Sequence, residues 1–239
     1  MSLYHRNLAN YSYNETLAQD TNRSFEESFI NKAKSERAVF LRQTYQLLAA
    51  SLLAATAGAY LGTQVIKTFS WILLIAEFAF LIGLSFSRKN PPIALVMLFG
   101  FTFVSGMTLG PILNTLMGAG MGNIITQAFL MTTVAFGGLS LFAMNTKHDF
   151  SSMGKFFFIA LIIVVVGGLI NIFIGNSMFA LGISCVSAIL FSGYILYDTQ
   201  QIVRGNVDSP IMAAVALYID ILNLFVSLLH ILSALNGRK

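Results

Sequence analysis

Residues 90–146 contain no Asp, Glu, Lys or Arg, a run of 57 residues without a charge. Few folds can use such a stretch in water. One bilayer crossing needs only about 20 apolar residues, so the run is long enough for two. The Gly118–Asn123 segment is the natural turn between them, and spans are expected at about 93–116 and 124–146. Residues 156–197 form a second uncharged run, of 42 residues. Gly175-Asn176 breaks it into spans of about 156–174 and 178–203. The flanking charges mark the others. Arg42 and Lys67 bound a span at 43–66, and Lys67 and Arg88 bound one at 68–87. The last, at 211–235, follows a loop with Arg204, Asp208 and Pro210. Only 10% of the chain is charged and 56% is hydrophobic, whereas soluble domains carry about 25% charged residues. The expected fold is an all-α integral membrane bundle of seven helices, residues 43–236, behind a polar tail, residues 1–42.

The tail has no early apolar core, so no signal peptide is expected. Ser24 and Glu27 match a capping box, which predicts a short helix from about Phe25. Lys and Arg distribute unequally between the two ends of the spans. Nine fall on one side (Lys32, Lys34, Arg37, Arg42, Arg88, Lys89, Lys147, Lys155, Arg204) and three on the other (Lys67, Arg238, Lys239). That bias predicts a cytoplasmic N-terminus and, with seven spans, an exterior C-terminus. A re-entrant last segment would return the C-terminus to the cytoplasm. The net charge of +4 is scattered rather than clustered, so no nucleic-acid partner is expected. The short loops favour a bacterial inner membrane, with an organelle membrane such as the endoplasmic reticulum as the alternative. Cys185, the only cysteine, reads as a packing residue. Gly106/Gly110, Gly137-Gly138 and Gly167-Gly168 read as points of close helix approach, and Pro111 as a kink.

Four ionisable residues fall within spans: Glu77, Asp198, Asp220 and His230. A carboxylate in hydrocarbon costs a few kcal/mol, and Asp is too short to snorkel. Each must therefore be paired, protonated or facing water. Asp220 lies about nine residues into the last span, roughly 13 Å deep, and Asp198 lies about 8 Å from the end of the span before it. The two spans are antiparallel neighbours, so the aspartates sit at similar depth and can form a pair. Two carboxylates in one site cannot both ionise cheaply, so they are expected to share a proton. When both are charged they can hold a hard cation transiently. Arg88 ends the second span on the same side and can reach inward to Asp198. Glu77 is expected to face the interior, towards His230.

The segments SGYILYDTQQI (192–202), ALYIDILNLFVSLLHIL (216–232) and FVSGMTLGPI (103–112) resemble those of the Bax inhibitor-one family of transmembrane proteins. So do the membrane Glu77 and the basic residue after the second span. The resemblance covers about residues 40–236. It implies a seven-helix bundle with the last helix near its centre, forming a pH-sensitive, calcium-permeable leak. It implies that Asp198 and Asp220 are the pH sensor and that Arg88 latches onto Asp198. Calcium is then the permeant ion, with no cofactor. Relatives with Arg at the position of His230 put a Glu77–His230 ion pair in doubt, since His can lose its charge near neutral pH. Some bacterial members restrain an ATP-dependent membrane protease, and the polar tail suits such a partner. An intramembrane aspartyl protease is the third reading. Against it, Asp220 lies in a Tyr-Ile-Asp context, no later Pro-Ala-Leu element exists, and the loop between the aspartates is short. The chain is therefore not expected to be an enzyme.

Overall fold

The computed structural model describes the backbone of residues 2–65 and 71–237, and the side chains of residues 23, 26–65 and 71–237. Helices account for nearly all of it, and no strand occurs among the described residues. They are α1 (Ser2–Val65), α2 (Trp71–Phe86), α3 (Pro91–Thr108), α4 (Gly110–Gly118), α5 (Gly122–Asn145), α6 (Gly154–Ile174), α7 (Ser177–Arg204) and α8 (Pro210–Asn236), with a 3₁₀ turn at Ser151–Met153. The chain divides into two units, Met1–Arg42 and Gln43–Lys239. In the first, every described side chain from residue 26 to 39 is exposed. Helix continues through Ser24 and Glu27, so no helix begins at Phe25. The S-x-x-E match lacks the helix start that a capping box needs. Lys67, Thr68, Arg238 and Lys239 lie outside the described residues.

In the second unit the helices are long and apolar. Six are long and apolar enough to cross a bilayer when α3 and α4 are taken together as Pro91–Gly118. The seventh, α2, has 16 residues, or about 24 Å at 1.5 Å per residue. Pro111 explains why α3 and α4 are two pieces. It has no N–H to offer the carbonyl four residues back, and its ring crowds that carbonyl. α3 therefore ends at Thr108, where the Leu109 amide bonds to the Gly106 carbonyl (3.0 Å), and the helix restarts at Gly110.

Hydrophobic exclusion does not hold helices together in lipid; close packing does. Gly58 and Gly62 of α1 lie against α3 and α4. A Cβ on Gly58 would fall 2.0 Å from the Phe103 carbonyl oxygen, and one on Gly106 would fall 2.0 Å from that of Ala55. Gly110 meets the backbone of Gly62 in the same way, at 2.5 Å. The Gly106/Gly110 pair is thus a backbone-to-backbone approach, and its partner is a second GxxxG at Gly58/Gly62. The other glycine pairs behave differently. Gly137, Gly138 and Gly168 have nothing within 4 Å of a Cβ, and Gly167 has only ordinary contact with Ile183. None of them approaches another backbone within 4 Å of a Cβ.

α8 occupies the centre. It supplies a residue to each of three core clusters: Ile211 and Val215 beside Leu84 and Leu98, Leu229 beside Ile124 and Leu116, and Leu224 beside Phe191 and Ile195. A helix that buries residues all around its circumference is surrounded. α6 is the opposite case: Phe157 is its only buried residue. It packs on α7, where a Cβ on Gly193 would meet the Phe157 ring at 2.7 Å.

Candidate functional site

Polar side chains on α7 and α8 repeat at helical spacing. On α8, Asp220, Asn223, Ser227 and His230 fall at i, i+3, i+7 and i+10. On α7, Ser184, Ser187, Tyr194 and Asp198 fall at i, i+3, i+10 and i+14. Each set shares one face at 3.6 residues per turn. The two faces line the same cavity of about 500 Å³, which α6 closes with Leu161, Val164 and Val165. Along α7 the polar face runs about 21 Å.

The aspartates meet inside this cavity. Their carboxyl groups lie within hydrogen-bonding reach of one another, and Tyr194 lies close to both. Asp220 is 4% exposed, and its Oδ2 is buried without a hydrogen-bond partner. Two carboxyl groups facing each other away from water cannot both carry charge without a counter-ion. Among the described residues no group of three or more His, Cys, Asp or Glu side chains could hold a metal ion.

The other expected site residues lie elsewhere. Arg88 is exposed in the turn after α2. α2 packs mainly against α3, and among the described residues no ion pair joins Arg88 to Asp198. Glu77 is half-buried, within hydrogen-bonding reach of the Thr108 hydroxyl and close to Tyr218. Tyr218 is fully buried. Its hydroxyl donates to the Thr102 carbonyl (3.2 Å) and lies 2.6 Å from the Ser105 hydroxyl. His230 is exposed on the cavity face of α8. His230 lies twelve residues beyond Tyr218, about 18 Å further along α8 and about 120° around it, so Glu77, beside Tyr218, does not pair with it. Cys185 is exposed rather than packed.

Instead of Arg88, the end of α7 holds a loop. Gln200 is 3% exposed, and its side-chain amide clamps the backbone before α6. Nε2 donates to the His148 carbonyl (2.6 Å), and Oε1 accepts from the Phe150 amide (2.7 Å). One turn on, Arg204 pairs with Asp149 at 2.5 Å and donates to the Ser151 hydroxyl at 3.3 Å. The Asp149 carboxylate also accepts from the Ser151 amide (2.8 Å). The Arg204 guanidinium and that amide hold it down to about 2, below the usual carboxylate range. Gln200 stands in the YDTQQI segment, but its partners lie 50 residues away. Asn223 and Ser227 were detectable from their spacing to Asp220.

Residues 37–237 match the family described as inhibitor of apoptosis-promoting Bax1. The chain belongs to the Bax inhibitor-1 family. A Campylobacter jejuni protein of uncharacterized role is 52% identical over 92% of this chain and 98% of its own length. The modulator of FtsH protease YccA of Escherichia coli K12 is 36% identical over 80% of this chain and 88% of its own. The Golgi anti-apoptotic protein of vaccinia virus is 34% identical over 84% and 88%. The family match covers all but the last two residues of the second unit. The facing aspartates and the central α8 are therefore features of a multi-pass membrane protein of this family.

Proposed function

We propose that this family member is a pH-sensitive, calcium-permeable leak. Its working part is the cavity between α7 and α8, with Asp198 and Asp220 as the proton-sharing pair. The observation that carries this reading is the pair itself: two carboxyl groups within bonding reach, one with an unpartnered buried oxygen, in a cavity of about 500 Å³. With one proton shared between them, the pair carries a single negative charge. With none, it attracts a cation. Two carboxylates supply fewer oxygens than the six to eight that calcium takes, which suits a passing ion rather than a resident one. A latch through Arg88 would require its turn to move towards Asp198. The protein then sits in a bacterial inner membrane with residues 1–42 in the cytoplasm, as the charge bias indicates.

Calcium uptake into proteoliposomes, followed against pH, tests the reading. Asp198→Asn and Asp220→Asn should each change the pH dependence. An identical flux–pH curve in the double variant would remove the sensor role.

A second reading, compatible with the first, is regulation of an ATP-dependent membrane protease. It is favoured by the likeness to the E. coli FtsH modulator. The N-terminal unit, whose described side chains at 26–39 are exposed, is the part offered to such a partner. Deleting residues 1–25 should abolish capture of the protease and leave calcium flux intact. Capture that survives the deletion would remove that role for the tail.

A further inference from the structure

α8 borders a second cavity on the face away from the aspartates. Tyr218, Ile221, Leu222 and Phe225 fall at i, i+3, i+4 and i+7, roughly opposite Asp220 around the helix. They floor a cavity of about 560 Å³ walled by residues 49–59 of α1 and 125–136 of α5, with Leu109 and Leu113 at one end. At the other end the Tyr45 and Phe136 rings, 6.4 Å apart, bring α1 and α5 together. Tyr218 and Ile221 are buried, whereas Leu53 and Phe129 on the rim are 72% and 61% exposed. The cavity is therefore a slot that opens between α1 and α5 on the outside of the bundle. All but four of its seventeen lining residues have purely hydrocarbon side chains. The four hydroxyls donate to backbone carbonyls: Thr56 to Leu52 (2.8 Å), Thr132 to Ala128 (2.7 Å), Thr133 to Phe129 (2.9 Å) and Tyr218 to Thr102 (3.2 Å).

We infer that this slot binds one acyl chain of a membrane phospholipid. Along α1 the lined stretch is about 15 Å long at 1.5 Å per residue. That is half of the roughly 30 Å hydrocarbon core, the reach of a single chain in one leaflet. Leu53 and Phe129 lie at least eleven residues from any Asp, Glu, Lys or Arg, so lipid tails rather than headgroups meet the opening. Water needs two to four polar partners to stay in such a site. The slot offers only hydroxyl lone pairs spread over three helices. Left empty, its floor would lose dispersion contacts on one side, and a hydrocarbon chain supplies them without leaving any polar group unpaired. The site stands independently of the leak reading above.

The experiment reconstitutes the full chain in vesicles of phosphatidylethanolamine and phosphatidylglycerol. A small share of the phosphatidylethanolamine carries a photoactivatable diazirine in the terminal half of one acyl chain, and adducts are mapped by mass spectrometry. Adducts are expected on the α8 floor, at Ile221, Leu222 or Phe225, and also on α6, whose outward residues any surrounding lipid reaches. Thr133→Trp and Ala49→Phe each fill the slot from its exposed rim. Each should remove most of the α8 adduct and leave that on α6 in place, whereas Thr133→Val, which keeps the space, should retain both. If one filled variant does not fold, the other and the wild type still decide the matter. An α6 adduct without an α8 adduct in the wild type, or an α8 adduct that survives filling, overturns the site. In a Cys185→Ser, Leu222→Cys chain, modification by a charged, water-soluble thiol reagent would put water in the slot. A disulfide between two such chains would put a second copy there, and either result also overturns the site.

Discussion

Gly106→Ala adds one methyl group where the structure has no room for it. The new Cβ would stand 2.0 Å from the Ala55 carbonyl oxygen, whereas ordinary contact begins at 3.4 Å. The obstacle is backbone, so no side chain can rotate away. α1 and α3 must part by about 1 Å along the glycine seam, and a gap of that size forfeits roughly half of the dispersion energy across it. Overpacking of this kind costs about 1–3 kcal/mol. Helix propensity works the other way, since Gly→Ala inside a helix gains up to about 1 kcal/mol. Gly137→Ala provides the control. It makes the same exchange in α5, but its Cβ meets nothing within 4 Å, so it keeps the propensity gain alone. The propensity gain is common to both, so at about 2–4 °C per kcal/mol for a chain of this size the overpacking cost of about 1–3 kcal/mol should make Gly106→Ala melt roughly 2–12 °C below Gly137→Ala. Thermal unfolding of the two detergent-solubilised variants by near-ultraviolet circular dichroism reads the difference directly. Equal melting temperatures would refute the claim that backbone approach at Gly106 holds α1 to α3. Gly58→Ala, which meets the Phe103 carbonyl at 2.0 Å, should add less in combination than alone, because helices already parted accommodate a second methyl.

The loop held by α7 gives two further expectations. Gln200→Ala removes both bonds that clamp His148 and Phe150, each with a net contribution of about 1 kcal/mol. The Phe150 amide should then exchange its hydrogen on the order of ten-fold faster, and unchanged exchange would show that the clamp is not what orders the loop. Asp149, held down to about 2, lies below its unfolded value. The Asp149–Arg204 pair therefore contributes above the ordinary carboxylate range and fades only as pH falls through about 2. In an Arg204→Ala variant, the Asp149 titration followed by NMR should move back towards the ordinary value. An ordinary midpoint with Arg204 present would contradict the pairing. The loop should accordingly stay pinned throughout the neutral range, so a flux response there must come from another group.

Hydrocarbon excludes charge so strongly that charge-free runs reveal helices before any packing is known. That is why the turns near Gly118 and Gly175 are legible, and why the two aspartates can be placed at one depth. Depth, however, is only one of the two coordinates a membrane residue needs; the other is rotation about its helix. Glu77 and His230 both lie in the second coordinate's blind spot when taken singly, because a lone charge gives no periodicity. Asp220 does not stand alone: Asn223, Ser227 and His230 repeat its face, and the same reading applied to α7 finds Ser184, Ser187, Tyr194 and Asp198. Polar spacing thus tells which residues share a face. It does not tell which helix that face meets. The glycine seams do, since Gly58/Gly62 and Gly106/Gly110 are two GxxxG faces that match each other. They bind α3 to α1, and α2 packs on α3, while no ion pair joins Arg88 to Asp198 among the described residues. A basic residue at the right depth was therefore an insufficient criterion for the latch. Rotation and neighbour together select Arg204 as the cation at the end of α7 and assign it to the loop rather than to the carboxylate pair.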